Sequence, residues 1–215
     1  MADVPLAGML ADVRPEVVGC SNMMMNKAIL DAAVLFCESA HIWEVALPAV
    51  TLSANTSEYP VVQPANQRVI RITQAISSTT GRMLKKVALQ KMDAESGTWR
   101  NNTGANPIAW MMIAPRLMRF YPTPNATGEQ ITLRAIVKPS PAATVIDDSI
   151  YDDYHNGIAA KAKALLFAMP EQKWTNPNLV AYHESIFADA VSTARLAIAN
   201  NHSNTNNRVQ PVPFR

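Results

Sequence analysis

Residues 154–187, which read YHNGIAAKAKALLFAMPEQKWTNPNLVAYHESIF, decide the fold because they predict two helices joined by a short connector. The first helix is predicted to end at Pro170, since the residue before a proline avoids helical backbone angles. The second is predicted to begin with Asn176 as its cap and Pro177 in the first helical position, where a missing N–H costs nothing. The connector, which contains Trp174, is short enough to make the two helices antiparallel neighbours.

Apolar side chains recur at steps of three and four on both predicted helices, which is the pattern of amphipathic helices. The stripe of the first comprises Ile150, Tyr154, Ile158, Ala162, Leu165 and Met169, and that of the second comprises Val180, Phe187, Val191, Ala194 and Ile198. Asp147 or Asp148 is predicted to cap the first helix, because a carboxylate there accepts backbone N–H groups. Five alanines permit close packing, either inside the core or against other subunits: Ala159, Ala160, Ala162, Ala164 and Ala168.

The N-terminal part of the chain also predicts helices. A short one is expected over residues 4–13, interrupted after that by Pro15 and Gly19. Ser21 or Asn22 is predicted to cap a longer helix that runs to about Ala40. One face of this helix is apolar and comprises Met25, Ile29, Ala32, Ala33, Phe36 and Ala40. Three successive methionines at 23–25 are typical of packing in a core or an interface.

The central part of the chain has a different character, because nine of the fifteen prolines fall between Pro48 and Pro141. Short β-branched runs alternate there with turn residues, which predicts strands. The predicted strands are residues 46–52, 59–62, 68–75, 84–89, 108–113, 116–121 and 130–137. Residues 93–104 are predicted to form a long polar loop around Trp99. Short turns between successive strands argue against a parallel α/β sheet.

These patterns together predict an α+β fold. The N- and C-terminal helices are expected to form a helical bundle, and the centre an antiparallel β-sandwich or a partly open barrel. The predicted domains are residues 1–43 with 142–199 for the helices, and residues 44–141 for the strands. Residues 200–215 are predicted to be an extended C-terminal arm, because this asparagine-rich segment has too little apolar content to pack alone. It either ends free in solvent or orders on a partner.

Charge is distributed unevenly along the chain. Residues 1–60 carry a net charge of −5, residues 61–140 carry +8 and residues 141–215 carry −1, which gives the overall +2. A basic middle could face DNA phosphates or an acidic partner. It could equally be the solvated face of a sheet, because its arginines and lysines are scattered along predicted strands.

The sequence carries no motif for catalysis, a cofactor or a metal, so none of these is expected. It has no glycine-rich phosphate loop and no G-x-S-x-G. The histidines show no regular ligand spacing: His41, His155, His183 and His202. Cys20 and Cys37 are expected to be reduced thiols. Neither a secretory signal nor a membrane span is expected, because no apolar run approaches the ~20 residues that cross a bilayer.

Several landmarks in order along residues 5–198 resemble the head-to-tail adaptor proteins of short-tailed bacteriophages, also called connector or tail tubular proteins. These landmarks are AILDAAVLFCESAHIW at 28–43, EYPV around Tyr59, RVIRI around Val69, the loop Trp99, FYPTP ending at Pro124, the helix from Gly157 to Leu166, and MPEQKWTNP followed by Tyr182, His183 and Phe187. The Asn-rich tail carries none of them.

The resemblance implies a structural virion protein that forms a ring, usually of twelve copies, between the portal and the tail nozzle. Its helical part would pack around the portal base, and its β part would point toward the nozzle and other tail proteins. The channel would pass double-stranded DNA during ejection and help retain it after packaging, without sequence-specific binding. The protein would be made in the host bacterial cytoplasm and would act at the head-to-tail junction, not at a membrane.

The resemblance also implies which residues contact partners. By position, the C-terminal arm would reach onto the portal with Phe214 as its anchor. The candidate residues for contacts with the portal or neighbouring subunits are Trp174, Arg208, Pro211, Pro213, Phe214 and Arg215.

Two other functions remain open from the residues. The basic middle also fits a DNA- or glycan-binding β-sandwich module. A head-completion protein, or stopper, belongs to the same assembly class as an adaptor.

Overall fold

In a computed structural model, residues 3–95 and 97–200 are described, and they form two compact units. One unit consists of the described residues up to Ile42 and from Pro141 onward, and the other is Trp43–Ser140. The first contains the long helices and the second most of the strands. The predicted α+β class is confirmed.

The elements run as follows. The helices are α1 (Leu10–Val13), α2 (Asn22–Ala40), α3 (Leu89–Glu95), α4 (Asp148–Phe167) and α5 (Pro177–Ala199), with 3₁₀ turns at Leu6–Met9 and Trp99–Asn101. The strands are β1 (Asp3–Pro5), β2 (Glu44–Thr51), β3 (Glu58–Pro60), β4 (Gln67–Ser77), β5 (Lys85–Lys86), β6 (Thr103–Gly104), β7 (Ala109–Ala114), β8 (Leu117–Tyr121), β9 (Thr123–Pro124), β10 (Gln130–Pro139) and β11 (Val145–Asp147).

In the helical unit, α4 packs against both α2 and α5. The ring of Phe36 on α2 lies at the centre, with its centroid 5.1 Å from that of Tyr154 on α4 and 6.3 Å from that of Phe187 on α5. All six predicted core residues of α2 are buried. Ser21 caps α2, since its hydroxyl oxygen accepts a bond from the Met24 N–H at 3.3 Å.

The start of the chain differs from its prediction. Residues 3–5 form β1, which pairs antiparallel with β11 so that Val4 lies opposite Ile146. A 3₁₀ turn then leads into α1, which has only four residues. The predicted helix over 4–13 is therefore wrong at residues 4 and 5, because pairing with a strand some 140 residues away overrides the local apolar pattern there, and residues 6–9 are 3₁₀ rather than α-helical.

The helical hairpin has the predicted start but different ends. Asp147 caps α4, and its carboxylate accepts a bond from the Ser149 N–H at 3.1 Å. The helix ends at Phe167, three residues before Pro170. Asn176 occupies the cap position of α5, but its side chain makes no capping bond; its backbone N–H instead donates to the Phe167 carbonyl at 3.1 Å. This backbone hydrogen bond ties the start of α5 to the last residue of α4, and the predicted side-chain cap of α5 does not form.

In the β unit, two sheets share one core. The order in the first is β2-β10-β4 and in the second β3-β8-β7-β5. Buried side chains from both sheets form a single cluster that includes Leu47, Tyr59, Ile72, Trp110, Phe120, Ile131 and Leu133. This is a sandwich-like arrangement, and no sheet in the described residues closes into a barrel.

The sheets are not purely antiparallel. Short β5 pairs parallel with β7, and β6 pairs parallel with β9. The strand predicted over 84–89 is reduced to Lys85–Lys86, and α3 begins at Leu89. This helix allows Met92 to reach a small core with Trp99 and Met111, which a continuing strand would not supply.

Candidate interaction surfaces

An apolar groove of about 400 Å³ lies between α2 and α4 in the helical unit. Its lining comprises Met23, Met24, Lys27, Ala28, Asp31, Leu35, Leu165 and Met169. The side chain of Met23 is 82% exposed, whereas Met25 on the core side is buried. Lys27 and Asp31 pair with each other, so the groove offers mainly apolar surface. Flexible methionines suit such a surface to a protein partner.

The alanines of α4 are mostly core residues. Ala159, Ala160, Ala162 and Ala164 are buried within this single chain, and only Ala168 is exposed. The interpretation of these four as contacts to other subunits is therefore wrong, because α2 and α5 already cover them.

A cluster of charged side chains joins the segment after α1 to the two long C-terminal helices. The Lys163 Nζ donates to Glu16 Oε1 at 2.5 Å, and the buried His183 places Nε2 3.0 Å from Glu16 Oε2. The ring of His183 lies 5.5 Å from that of Phe167. The imidazole contact is close enough for an ion pair but not aligned as a hydrogen bond, so neither ring nitrogen has a hydrogen-bond partner among the described residues.

The cluster changes the acidity of Glu16. Partial burial would by itself raise the pKa of this carboxyl, but the hydrogen bond and charge of Lys163, with a contribution from His183, hold the pKa below its ordinary value. His183 was not predicted to be a core residue. Its position four residues before Phe187 on the buried face of α5 is the signal that would have identified it.

Trp174 lies half-buried in the connector between α4 and α5. Its Nε1 is buried and has no hydrogen-bond partner among the described residues. The connector itself is held by Thr175, whose hydroxyl donates to the Met169 carbonyl at 2.5 Å and accepts from the Gln172 N–H at 2.9 Å. Trp174 is thus placed by a well-bonded turn, while its own donor stays unused.

Trp99 organises a second polar arrangement in the β unit. It is 1% exposed, and its Nε1 donates to Asp93 Oδ1 at 2.9 Å. The guanidinium groups of Arg100 and Arg119 lie 4.5 and 5.0 Å from its ring centroid. Hydrogen bonds from Arg100 and then from Trp99 lower the pKa of Asp93. The region predicted to be a polar loop is therefore built around a buried indole.

Part of the positive charge of the central region is used internally. Arg119 lies 3.5 Å from Glu58, and Arg134 lies 3.8 Å from Glu44. Together with Arg100, these residues serve the β unit itself.

The remaining predicted partner residues fall outside the described residues: Arg208, Pro211, Pro213, Phe214 and Arg215. Over residues 3–95 and 97–200, no group of His, Cys, Asp or Glu side chains could hold a metal ion. Within the same ranges, none of the helices has the length and apolar character needed to span a membrane.

The model of a family described as SU10 adaptor protein matches residues 6–211, nearly the whole chain. No curated protein matches the chain.

Proposed function

The chain belongs to the SU10 adaptor protein family of phage head-to-tail adaptors, and from this premise we propose that it forms a ring of twelve copies between the portal and the tail nozzle. As a member of this family it is a virion component that contacts other head and tail proteins. The channel of the ring passes double-stranded DNA during ejection and retains it after packaging. The protein is made in the host bacterial cytoplasm and has no catalytic role.

The match over residues 6–211 is the observation that carries this proposal. The helical unit adds support, since its groove between α2 and α4 presents the exposed side chain of Met23 to a partner. In a closed ring each subunit uses one surface for one neighbour and a different surface for the other. The groove supplies one apolar surface of the kind that such a contact needs.

The portal contact is assigned to the C-terminal arm. Residues 200–215 follow directly on the end of α5 and close with alternating apolar and proline residues. An extended peptide of this composition gains affinity by laying its apolar side chains into a groove of its partner. Phe214 is the anchor in this proposal, and Arg208, Pro211, Pro213 and Arg215 flank it.

DNA passes the ring without tight binding. A channel that neutralised many phosphates would hold DNA strongly and would slow its movement. The pairing of Arg119 and Arg134 with carboxylates agrees with this, because paired guanidinium groups attract phosphate less strongly.

The test is assembly with the portal. The purified full-length chain is mixed with portal rings of the same phage, and complexes are measured by mass photometry and electron microscopy at several salt concentrations. Twelve copies per portal ring are expected. A chain that stays monomeric under all conditions, or a complex with a different copy number, contradicts the proposal.

A further inference from the structure

A pocket of about 230 Å³ in the β unit is lined by residues from both sheets. Its floor is apolar and includes Val61, Val69, Ile72 and Met112. Three cationic side chains, all exposed, also line it: Arg71 on β4, Lys86 on β5 and Arg116 in the turn between β7 and β8. None of its lining residues is acidic.

The positive charge of the pocket is not compensated by the described part of the chain. Neither Arg71, Lys86 nor Arg116 forms an ion pair or a side-chain hydrogen bond there. The Nζ of Lys86 lies 5.4 Å from the centroid of the buried Trp110 ring. That contact orients an ammonium group without neutralising it. Three free cations around an apolar floor are complementary to an anion attached to an apolar group.

Arg116 gives a second, independent indication. Its φ is +68°, a left-handed conformation that glycine or asparagine adopts at lower cost than arginine. The Arg116 carbonyl accepts a bond from the Val61 N–H at 2.8 Å, which fixes the turn against the chain beyond β3. Residues with strained backbone angles are concentrated at binding sites, where the function of the side chain offsets the free-energy cost of the backbone conformation.

We propose that this pocket binds an acidic segment of another phage protein. Carboxylates of that segment pair with Arg71, Lys86 and Arg116, and an adjacent apolar side chain fills the floor formed by Val61 and its neighbours. We take this partner to be a tail protein, and that assignment rests on the proposed function. The peptide chemistry follows from the pocket alone.

The pocket favours a peptide over DNA. Duplex DNA presents phosphates along a ridge and is held mainly by contacts to that backbone. Such a ridge does not fill a concave apolar floor. Burial of the apolar surface of the floor therefore contributes nothing to DNA binding. A peptide with a carboxylate beside an apolar side chain uses both parts of the pocket.

The experiment begins with a random peptide library selected on the full-length chain. Enrichment of acidic residues next to an apolar residue is expected, and this enrichment should vanish on a chain in which Arg71, Lys86 and Arg116 are all replaced by glutamine. Selection of no peptides, of peptides without acidic residues, or of the same peptides on the triple variant overturns the proposal.

Affinities of a selected peptide then assign the residues. Arg71→Gln, Lys86→Gln and Arg116→Gln should each weaken binding about tenfold, the effect of losing one hydrogen bond between charged groups. Lys85→Gln is the matched control, because Lys85 is an exposed neighbour of Lys86 that does not line the pocket. Equal losses in Lys85→Gln, or equal binding of a peptide with amides in place of carboxylates, contradict the assignment.

Arg116→Asn separates binding from stability. Asparagine suits the left-handed backbone, so the melting temperature should hold or rise while peptide affinity falls about tenfold. A lower melting temperature with unchanged affinity would make Arg116 a structural residue. Competition by duplex DNA that depends on the same three cations would assign the pocket to DNA instead. Tail assembly is not part of these measurements, so a failure here leaves the adaptor role standing, and the reverse also holds.

Discussion

Gly157 shows how one missing side chain sets the spacing of two helices. A Cβ at this position would lie 2.4 Å from the Cβ of Ala190 on α5, closer than such atoms approach. The contact between α4 and α5 is thus possible only because residue 157 has no side chain. The close approach of the two helices in this hairpin therefore depends on a single glycine.

Gly157→Ala is expected to lower the free energy of unfolding by about 1–3 kcal/mol, because overpacking outweighs the gain of up to ~1 kcal/mol in helix propensity. Denaturant unfolding of the full-length chain measures this. Gly97→Ala is the control, since a Cβ there meets no atom within 4 Å. An unchanged stability in Gly157→Ala would mean that separating the helices costs no more than alanine gains in helix propensity.

At Trp174 the indole N–H is buried and has no hydrogen-bond partner among the described residues. Trp174→Phe keeps an aromatic ring but removes both the unpaired donor and the second ring of the indole, so the two effects oppose each other and the change in stability should stay within ~1 kcal/mol. Trp174→Ala should cost about 1–3 kcal/mol, less than for a fully buried tryptophan. Thermal unfolding and portal binding are both measured on the two variants.

If Trp174 contacts a partner, Trp174→Phe will fold normally but bind the portal or its neighbours more weakly. Normal folding together with normal assembly would remove Trp174 from the partner-binding residues. A loss of stability well above ~1 kcal/mol in Trp174→Phe would show that the indole N–H or the second ring of Trp174 makes a stabilising contact in solution.

At the scale of elements, the cluster of Glu16, Lys163 and His183 ties three parts of the helical unit together. Glu16 precedes α2, Lys163 lies on α4 and His183 on α5. Each of these helices has its own apolar face, which a helix pattern predicts. Their mutual arrangement also depends on this polar contact, which joins residues up to 167 positions apart.

The lowered pKa of Glu16 makes this contact pH-dependent. A carboxyl whose pKa is lower in the folded state stabilises the fold above its unfolded pKa and loses that contribution as pH falls through the folded value. The stability difference between the native chain and Glu16→Gln should therefore be largest at neutral pH and shrink below the ordinary value of 4.5. Denaturant midpoints measured across this range test it.

Glu171→Gln provides the control for that series, because Glu171 is an exposed carboxylate in the connector. Its stability difference should be small at every pH, as surface charges contribute little. A pH-independent difference for Glu16→Gln would show that the ion pair with Lys163 does not form in solution.

At the scale of the whole molecule, two compact units have separate cores, and the arm follows the last helix. The helical unit is assembled from both ends of the sequence, with the β unit inserted between them. This arrangement leaves the arm attached to the helical unit. It agrees with the proposal that portal contacts belong to that unit and its extension.

Deletion of residues 200–215 is expected to leave the free energy of unfolding nearly unchanged and to abolish stable binding to the portal. The reason is that the described cores lie before residue 200, whereas the proposed anchor Phe214 lies within the deleted segment. Unfolding midpoints and co-sedimentation with portal rings measure the two effects. Phe214→Ala should weaken portal binding without changing stability, and Asn204→Ala is its control. Portal binding by the truncated chain equal to that of the full-length chain would refute the assignment of the portal contact to residues 200–215.

The sequence predicted much of this fold because most of its elements have a local cause. Apolar periodicity located α2, α4 and α5, and β-branched runs located the five longer strands, including β4 and β10. The capping residues Ser21 and Asp147 were predicted from their preference for helix starts. Residues that depend on distant partners were missed, such as the β1 strand and the buried His183.

The sequence by itself determined the α+β class, the helical hairpin and the resemblance to phage adaptors, since local periodicity and ordered landmarks require no knowledge of packing. Only the tertiary structure decided that the α4 alanines are core, that Trp99 is buried beside two guanidinium groups, and that Arg71, Lys86 and Arg116 share one pocket. These three cations are separated by as many as 45 positions. The pairing of β5 with β7 and of β7 with β8 places Lys86 and Arg116 in one sheet, and the packing of the other sheet adds Arg71 from β4. Spacing along a chain cannot show a contact that sheet register creates.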